Sequence, residues 1–409
     1  MISRAYKVRL SPNRAQSVYF GRCCGLARFA YNWALARRIE VHEATGKSIP
    51  LSELQREFRA RRGTEWPWAL ELPDRVSEMA IRNLDTAYRN FFRRVKSGAE
   101  KPGFPRFHAR HPGYGSFQVM INPGHIHEAA IRLPKVGPVR LAESSYLPLD
   151  LSAQYITATV SERATKWYVS VQVDVPRPAP EHGEGLTAVH LCSRHLAVTL
   201  KDGLLTRYEN PKPLARELRH LAKLQRAVAR KTKGSANRRK AVARLQRLHE
   251  RIADVRRDAG QRATTEIVRS SAGIALEKWP IKKLMGDAIR PVARHMSDVA
   301  FAELARQIEY KTNWRGVNLV RLAEGFPSTK RCARCGAINP EMTLERIMFD
   351  CPKCGHRAGR EVNAVENVML ETTGKPPECN APGGDPSGSP VNGESERVVG
   401  VVPSVVGDR

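Results

Sequence analysis

The chain has 409 residues and carries 68 Lys and Arg against 41 Asp and Glu, for a net charge of +27 and a pI near 10.2. That length allows about two or three domains with real cores, and the charge excludes the balanced surface of an ordinary metabolic enzyme. It points to a polyanionic partner, because each phosphate that a cation neutralises releases condensed counterions.

No apolar run approaches the length of a membrane span, and Met1-Ile2-Ser3-Arg4-Ala5-Tyr6-Lys7 does not read as a signal peptide. The expected location is therefore the cytoplasm, with no membrane partner. Tyr6-Lys7-Val8-Arg9-Leu10 alternates like a strand, which Ser11-Pro12-Asn13 stops. From Arg14 to about Lys96 the pattern is helical: Leu26, Phe29, Ala30, Trp33 and Ala34 recur at three- and four-residue steps, as do Ile81, Leu84, Ala87, Tyr88 and Phe91. Phe29, Tyr31 and Trp33 are expected in the core.

Residues 101–117 form a basic loop interleaved with aromatics, including Lys101, Arg106 and Phe107. The mixture suits base stacking with phosphate contact, and it equally suits a packed loop. Short alternating stretches such as Trp167-Tyr168-Val169-Ser170-Val171 within 117–175 predict a small antiparallel β domain, into which the preceding helices are inserted. Pro176 to Gly185 reads as a linker.

Leu186-Thr187-Ala188-Val189-His190-Leu191-Cys192 and Leu196 to Leu200 read as strands. Residues 212–269 predict a helical pair with apolar stripes at Leu218, Leu221, Leu224 and Val228 and at Leu245, Leu248, Ile252 and Val255, turning at Lys233-Gly234-Ser235. Twelve Lys or Arg lie from Arg226 to Arg257, against only Glu250 and Asp254. Arg226, Arg230, Lys231, Lys233, Arg238, Arg239 and Lys240 repel one another unless phosphates lie between them, which makes them candidate nucleic-acid contacts. Gly273-Ile274-Ala275-Leu276-Glu277 is a further strand ending in an acid. The tail from Thr373 to Arg409 is too poor in apolar surface to order itself and is expected to be disordered.

Eight cysteines fall into two groups. Cys332, Cys335, Cys351 and Cys354 make two Cys-x-x-Cys knuckles with fifteen residues between them, a spacing that closes four thiolates around zinc. Two disulfides are the alternative, which a reducing cytosol opposes. Four thiolates with no open position indicate a structural ion. Cys23, Cys24, Cys192 and Cys379 lack partners at ligand spacing and read as buried or incidental thiols.

Several blocks resemble, in order, the transposon-encoded TnpB family, compact relatives of type V CRISPR effectors. They are Tyr6 to Pro12, Ala27 to Leu35, Lys101 to Phe107, Arg230 to Ser235, Pro327 to Lys330 with the zinc knuckles, and Val362-Asn363-Ala364. The resemblance spans about residues 4 to 372. It implies an α+β multidomain protein bound to a guide RNA, acting on double-stranded DNA beside a short adjacent motif, in a bacterial or archaeal nucleoid. The implied layout is a β-barrel (wedge) domain at 1–12 and 115–180, with a helical recognition domain inserted at 13–114. A RuvC-type domain with an RNase H-like sheet follows at 184–325 and 356–372, then a zinc-ribbon target-loading domain at 326–355 and a disordered tail at 373–409.

The same resemblance aligns an Asp–Glu–Asp cutting triad with His190, Glu277 and Glu361. Two-metal cleavage needs hard oxygens that bridge two Mg²⁺ ions about 3.5–4 Å apart. Histidine offers one softer nitrogen and no negative charge, and Glu361 adds a methylene that moves its oxygens by more than the roughly 0.5 Å a working site tolerates. Gly359 stands where many relatives carry an acid, and Ala259-Gly260-Gln261 interrupts a segment that usually carries a histidine. Three readings follow. One is a nuclease-dead RNA-guided DNA binder acting by occupancy, such as transcriptional repression. Another is a working endonuclease that uses Mg²⁺ at a His/Glu/Glu site helped by Asp202, Asp298 or Glu366. The last is a decayed transposon remnant without a guide.

Overall fold

The computed structural model describes residues 2–149, 156–177, 183–192, 194–279, 290–343, 346–374 and 396–400. Two compact units divide the chain, Met1–Pro176 and Arg177–Arg409. In the first, β1 (Ile2–Ser11) leads through Pro12 into α1 (Arg14–Thr45). Asn13 starts that helix with a reciprocal capping box: its side chain accepts from Gln16 N at 2.8 Å, while Gln16 Oε1 accepts from Asn13 N at 3.0 Å. Gly46, at φ +67°, ends it.

Next come α2 (Leu51–Thr64), α3 (Asp74–Lys96), β2 (Tyr114–Ile121), β3 (Ala130–Leu133), β4 (Gly137–Leu141), β5 (Ile156–Arg163) and β6 (Lys166–Val175). The strands form a six-stranded antiparallel sheet in the order β2-β5-β6-β1-β4-β3, so the three helices are an insertion between two strands of one sheet. No hydrogen-bonded pairing closes β2 onto β3 among the described residues. Phe29 and Trp33 pack on Phe58 and Trp66, and Tyr31 is buried, as the helical periodicity predicts.

In the second unit β7 (Leu186–His190), β8 (His195–Lys201) and β9 (Leu204–Glu209) form an antiparallel meander. Asp202-Gly203, both at positive φ, make its hairpin turn. The helical pair is α4 (Pro213–Ala229) and α5 (Ala236–Arg269), joined through Leu221, Leu248 and Ile252; Ser235 caps α5 by accepting from Arg238 N at 3.1 Å. Then follow β10 (Gly273–Lys278), α6 (Arg290–Val299), α7 (Phe301–Arg315), β11 (Asn318–Glu324), β12 (Met348–Asp350), β13 (Arg357–Gly359), α8 (Arg360–Thr373) and β14 (Glu396–Val399).

The main sheet has the order β11-β10-β7-β8-β9-β14, with β10 parallel to both β7 and β11. One face, from Val189, Leu191, Ile274 and Leu276, packs on α5 and α7; the other, from Ala188, Cys192, Val198 and Ala275, packs on Val365 and Val368 of α8.

Three expectations are corrected. The tail is not wholly without structure: Glu396–Val399 pairs in parallel with β9, because the exposed edge of that strand offers a row of amides and carbonyls to a short Val-rich segment. Residues 375–395, with Cys379, and 401–409 of the tail, and residues 178–182 of the linker, lie outside the described residues. α5 runs unbroken through Ala259-Gly260-Gln261, and a Cβ at Gly260 would meet Leu304 Cδ2 at 3.0 Å, so this glycine lets α7 approach. The first strand of the unit ends at His190, not at Cys192.

Candidate functional site

Strand alternation decides which side chains meet. Ala188 and Ala275 face α8, so His190 and Glu277, two residues further along neighbouring parallel strands, face α8 as well. The first turn of α8 supplies Glu361. The three triad positions thus converge at the carboxyl ends of β7 and β10, the place where open α/β sheets hold their ligands.

Their bonding is internal. His190 Nδ1 lies 2.6 Å from Glu277 Oε1, and Ser328 donates to Glu277 Oε2 at 2.6 Å, so both oxygens of this buried carboxylate are engaged. With Glu277 ionised, its oxygens only accept, and His190 Nδ1 carries the hydrogen. The His190 ring also lies 5.6 Å from that of Trp279. Glu361 Oε2 is bound by His195 Nδ1 at 2.8 Å, and Arg360 Nη2 lies 3.6 Å from Oε1. Burial would push the Glu361 carboxyl up; the hydrogen bond from His195 and the charges of His195, His190 and Arg360 outweigh it and hold the group down to about 2. Cys192, fully enclosed beside this carboxylate, has its thiol pushed well up by burial.

His195 and Ser328 are the site residues that sequence reasoning missed. His195 opens β8, and its sequence signal is the Cys-x-x-His spacing from Cys192. Ser328 lies in the Pro327 to Lys330 block that precedes the knuckles. Cys192, read as an isolated thiol, lies with His195 and Glu361 in a group whose ligand atoms are all within 4.8 Å of one another. Two proposed helper acids are corrected. Asp298 caps α4, accepting from Leu214 N at 2.8 Å and Ala215 N at 3.0 Å, and Asp202 sits in the β8–β9 turn beside Gly185, at the opposite end of β7 from His190. Glu366 is buried on α8.

The four cysteines Cys332, Cys335, Cys351 and Cys354 form one cluster. Cys332 Sγ and Cys354 Sγ are 3.7 Å apart, and Cys335 Sγ and Cys351 Sγ 3.5 Å; a zinc tetrahedron with bonds of about 2.3 Å has edges of about 3.8 Å. The amides of Cys354 and Lys353 point at Cys351 Sγ, each at 3.4 Å, and hold that thiol down to about 6. Asn363 and Asn367 of α8 tie the knuckle down: Asn363 Oδ1 accepts from Ala333 N at 3.0 Å, and Asn367 Nδ2 donates to Ser328 O at 2.9 Å and Arg331 O at 2.7 Å.

The aromatic loop of the first unit divides. Phe104 packs edge-on against Tyr88 and Phe91, and His108 stacks on Tyr31 at 3.9 Å, while Lys101, Arg106 and Phe107 are exposed. In the second unit Arg226, Arg230, Lys231, Lys233, Arg239 and Lys240 are exposed on the helical pair, and Arg238 is half-buried, donating to Lys231 O at 3.2 Å.

Sequence comparison decides the family. The chain is 30% identical over 385 residues to the "Putative RNA-guided DNA endonuclease InsQ" of Escherichia coli (strain K12), covering 90% of this chain and 91% of that one. It belongs to the TnpB family. A "Putative RNA-guided DNA endonuclease" of Streptomyces pristinaespiralis is 33% identical over 379 residues, covering 90% and 89% of the two chains. Family models described as "Probable transposase", "Cas12f1-like, TNB domain" and "Helix-turn-helix domain" match residues 157–287, 301–368 and 1–47. In this TnpB-family chain the last of these spans one strand and one long helix, β1 and α1. A solved "Cas12f1-sgRNA-target DNA complex" is 15% identical and covers 90% of this chain and 99% of its own, at a TM-score of 0.32, too low to bear on function. No helix among the described residues is long and apolar enough to cross a membrane.

Proposed function

We propose that this protein is an RNA-guided double-stranded DNA-binding protein that acts by occupying its target, for example to repress transcription, and that its RuvC-type site no longer cuts. The observation that carries this reading is Glu277, whose two oxygens are held by His190 and Ser328 at 2.6 Å each. A Mg²⁺ pair does not fit these residues. A bridging carboxylate is replaced by an imidazole that itself binds the neighbouring ligand, and the remaining acid, Glu361, is bound by His195. The names of the relatives support guide RNA and DNA as partners. Base pairing with the guide would choose the sequence, while protein groups hold the backbone and read the adjacent motif.

The exposed cations of the helical pair, with Lys101, Arg106 and Phe107, are suited to that grip. The cysteine cluster fits a structural zinc by its sulfur separations, with all four positions filled by protein thiolates.

The test is to express the protein with its flanking DNA, purify the RNA complex, and score binding and cutting of a matched plasmid in Mg²⁺ in the same tubes. Tight guide-dependent binding without cutting is expected, and His190→Asp with Glu361→Asp then tests restoration. Cutting by the unaltered complex that Glu277→Ala abolishes would instead establish the working endonuclease; recovery of no discrete RNA would point to a remnant without a guide.

A further inference from the structure

We infer that Cys192, His195 and Glu361 form a second metal site, selective for a single zinc-type divalent ion and distinct from both the cysteine knuckle and the two-Mg²⁺ arrangement of a nuclease. The three donor atoms already lie within 4.8 Å of one another. Cys192, just beyond the end of β7, is buried, and its Sγ lies 3.6 Å from His195 O at the start of β8. Glu361 closes the group from α8, with His195 Nδ1 at 2.8 Å. The chemistry of the set is one thiolate, one imidazole and one carboxylate, a mixture that suits zinc and not Mg²⁺.

Binding requires the sulfur, within 4.8 Å of the other two donors, to come to about 3.5–3.6 Å from them. A tetrahedral ion with bonds of about 2.0–2.1 Å separates nitrogen and oxygen ligands by about 3.3–3.4 Å, so the His195–Glu361 contact opens by about half an ångström. The imidazole side chain is about a quarter exposed, which leaves a fourth position open to water or to a further donor. On binding, the Cys192 thiol gives its proton to solvent, the His195 hydrogen shifts to Nε2, and a new S–metal bond forms. The ion would pin the β7–β8 turn to α8.

This site depends on neither guide nor DNA, so its test stands apart from the proposed function. The full-length protein is loaded with Zn²⁺, desalted and analysed for metal per chain. Relative to wild type, Cys192→Ser is expected to lose one zinc while Cys351→Ser loses a different one, and the apparent affinity of the second site should fall at least tenfold. In Co²⁺-loaded protein the same Cys192→Ser change should remove part of the thiolate charge-transfer absorption. Should Cys192→Ser fail to fold, His195→Ala, at a partly exposed position, is expected to lose the same ion. Equal zinc content in wild type and His195→Ala would overturn the proposal.

Discussion

The knuckle and the triad positions share one helix and treat it in opposite ways. From α8, Asn363 and Asn367 spend their amides on the backbone of the knuckle and leave all four sulfurs facing one another. Two residues before Asn363 on the same helix, Glu361 faces the sheet, where His195 binds it and His190 binds Glu277. Four sulfurs facing one another are suited to a single ion, whereas Glu277, with both oxygens held by His190 and Ser328, is hydrogen-bonded like any other buried polar group.

The largest way to break this comparison is to remove the zinc proposed for the knuckle. Among the described residues the knuckle's apolar core is Cys332, Met342, Phe349 and Cys351 with Ala337 beside them, too small to hold a fold unaided. Structural zinc in isolated fingers contributes about 10–16 kcal/mol. Cys351→Ser or chelation is expected to make residues 331–359 the first protease-cut region of the second unit, read by mass spectrometry. Resistance equal to wild type would mean that the knuckle stands without metal.

A second test titrates Glu361. In the metal-free site the folded Glu361 carboxyl lies near 2 against 4.5 for the free group, a difference of about 3 kcal/mol. A depressed folded value gives stability that is present above 4.5 and lost as pH falls toward 2, since the unfolded chain takes up the proton first. The groups that face it are His195 and His190 from the sheet and Arg360 beside it, with Arg207 nearby. His195→Ala should flatten the acid limb of a denaturation series between those two values, and an unchanged limb would show that His195 does not hold the carboxylate.

A smaller effect sharpens the shared-helix argument. Asn367 Nδ2 donates to the carbonyls of Ser328, Arg331 and Asn363, all within 2.9 Å. Asn367→Ala leaves buried acceptors without a donor, for a loss of about 1–3 kcal/mol. Because Ser328 also holds Glu277, the substitution should loosen both regions, visible as faster amide exchange at 328–333 and at the end of β10. Faster exchange in the knuckle alone would separate them.

Much of this was legible in the sequence for identifiable reasons. Period-two runs such as Trp167 to Val171 and the stripes at Leu221 and Leu248 name their elements because burial follows the backbone period. Four cysteines at fixed spacing announce their cluster because the ligands are close in the chain. His195 was not legible: its partner Glu361 lies 166 residues away, and only the alternation of β7 with the packing of α8 brings them together. Asp298 misled for the same reason, since an acid in a helix gives no sign that it caps a different helix, α4.

The smallest expected effect concerns β14, where composition argued against any order. Glu396–Val399 covers the outer edge of β9, Val399 touches the core of the main sheet, and Arg397 meets Glu266 at 3.2 Å across a largely exposed pair. Exposed pairs of this kind contribute about 0–1 kcal/mol, and four strand residues must offset the entropy of tethering a long connecting segment, whose cost grows only slowly with length. Truncation after Gly374 is therefore expected to lower stability by no more than about 1 kcal/mol and to leave DNA binding intact. It should nonetheless raise self-association, because β9 would then present unpaired amides and carbonyls at an open edge. Light scattering of the truncated protein against full length reads that directly: increased scattering marks β14 as an edge cover, while identical scattering and identical stability would mean that the strand does not persist in solution.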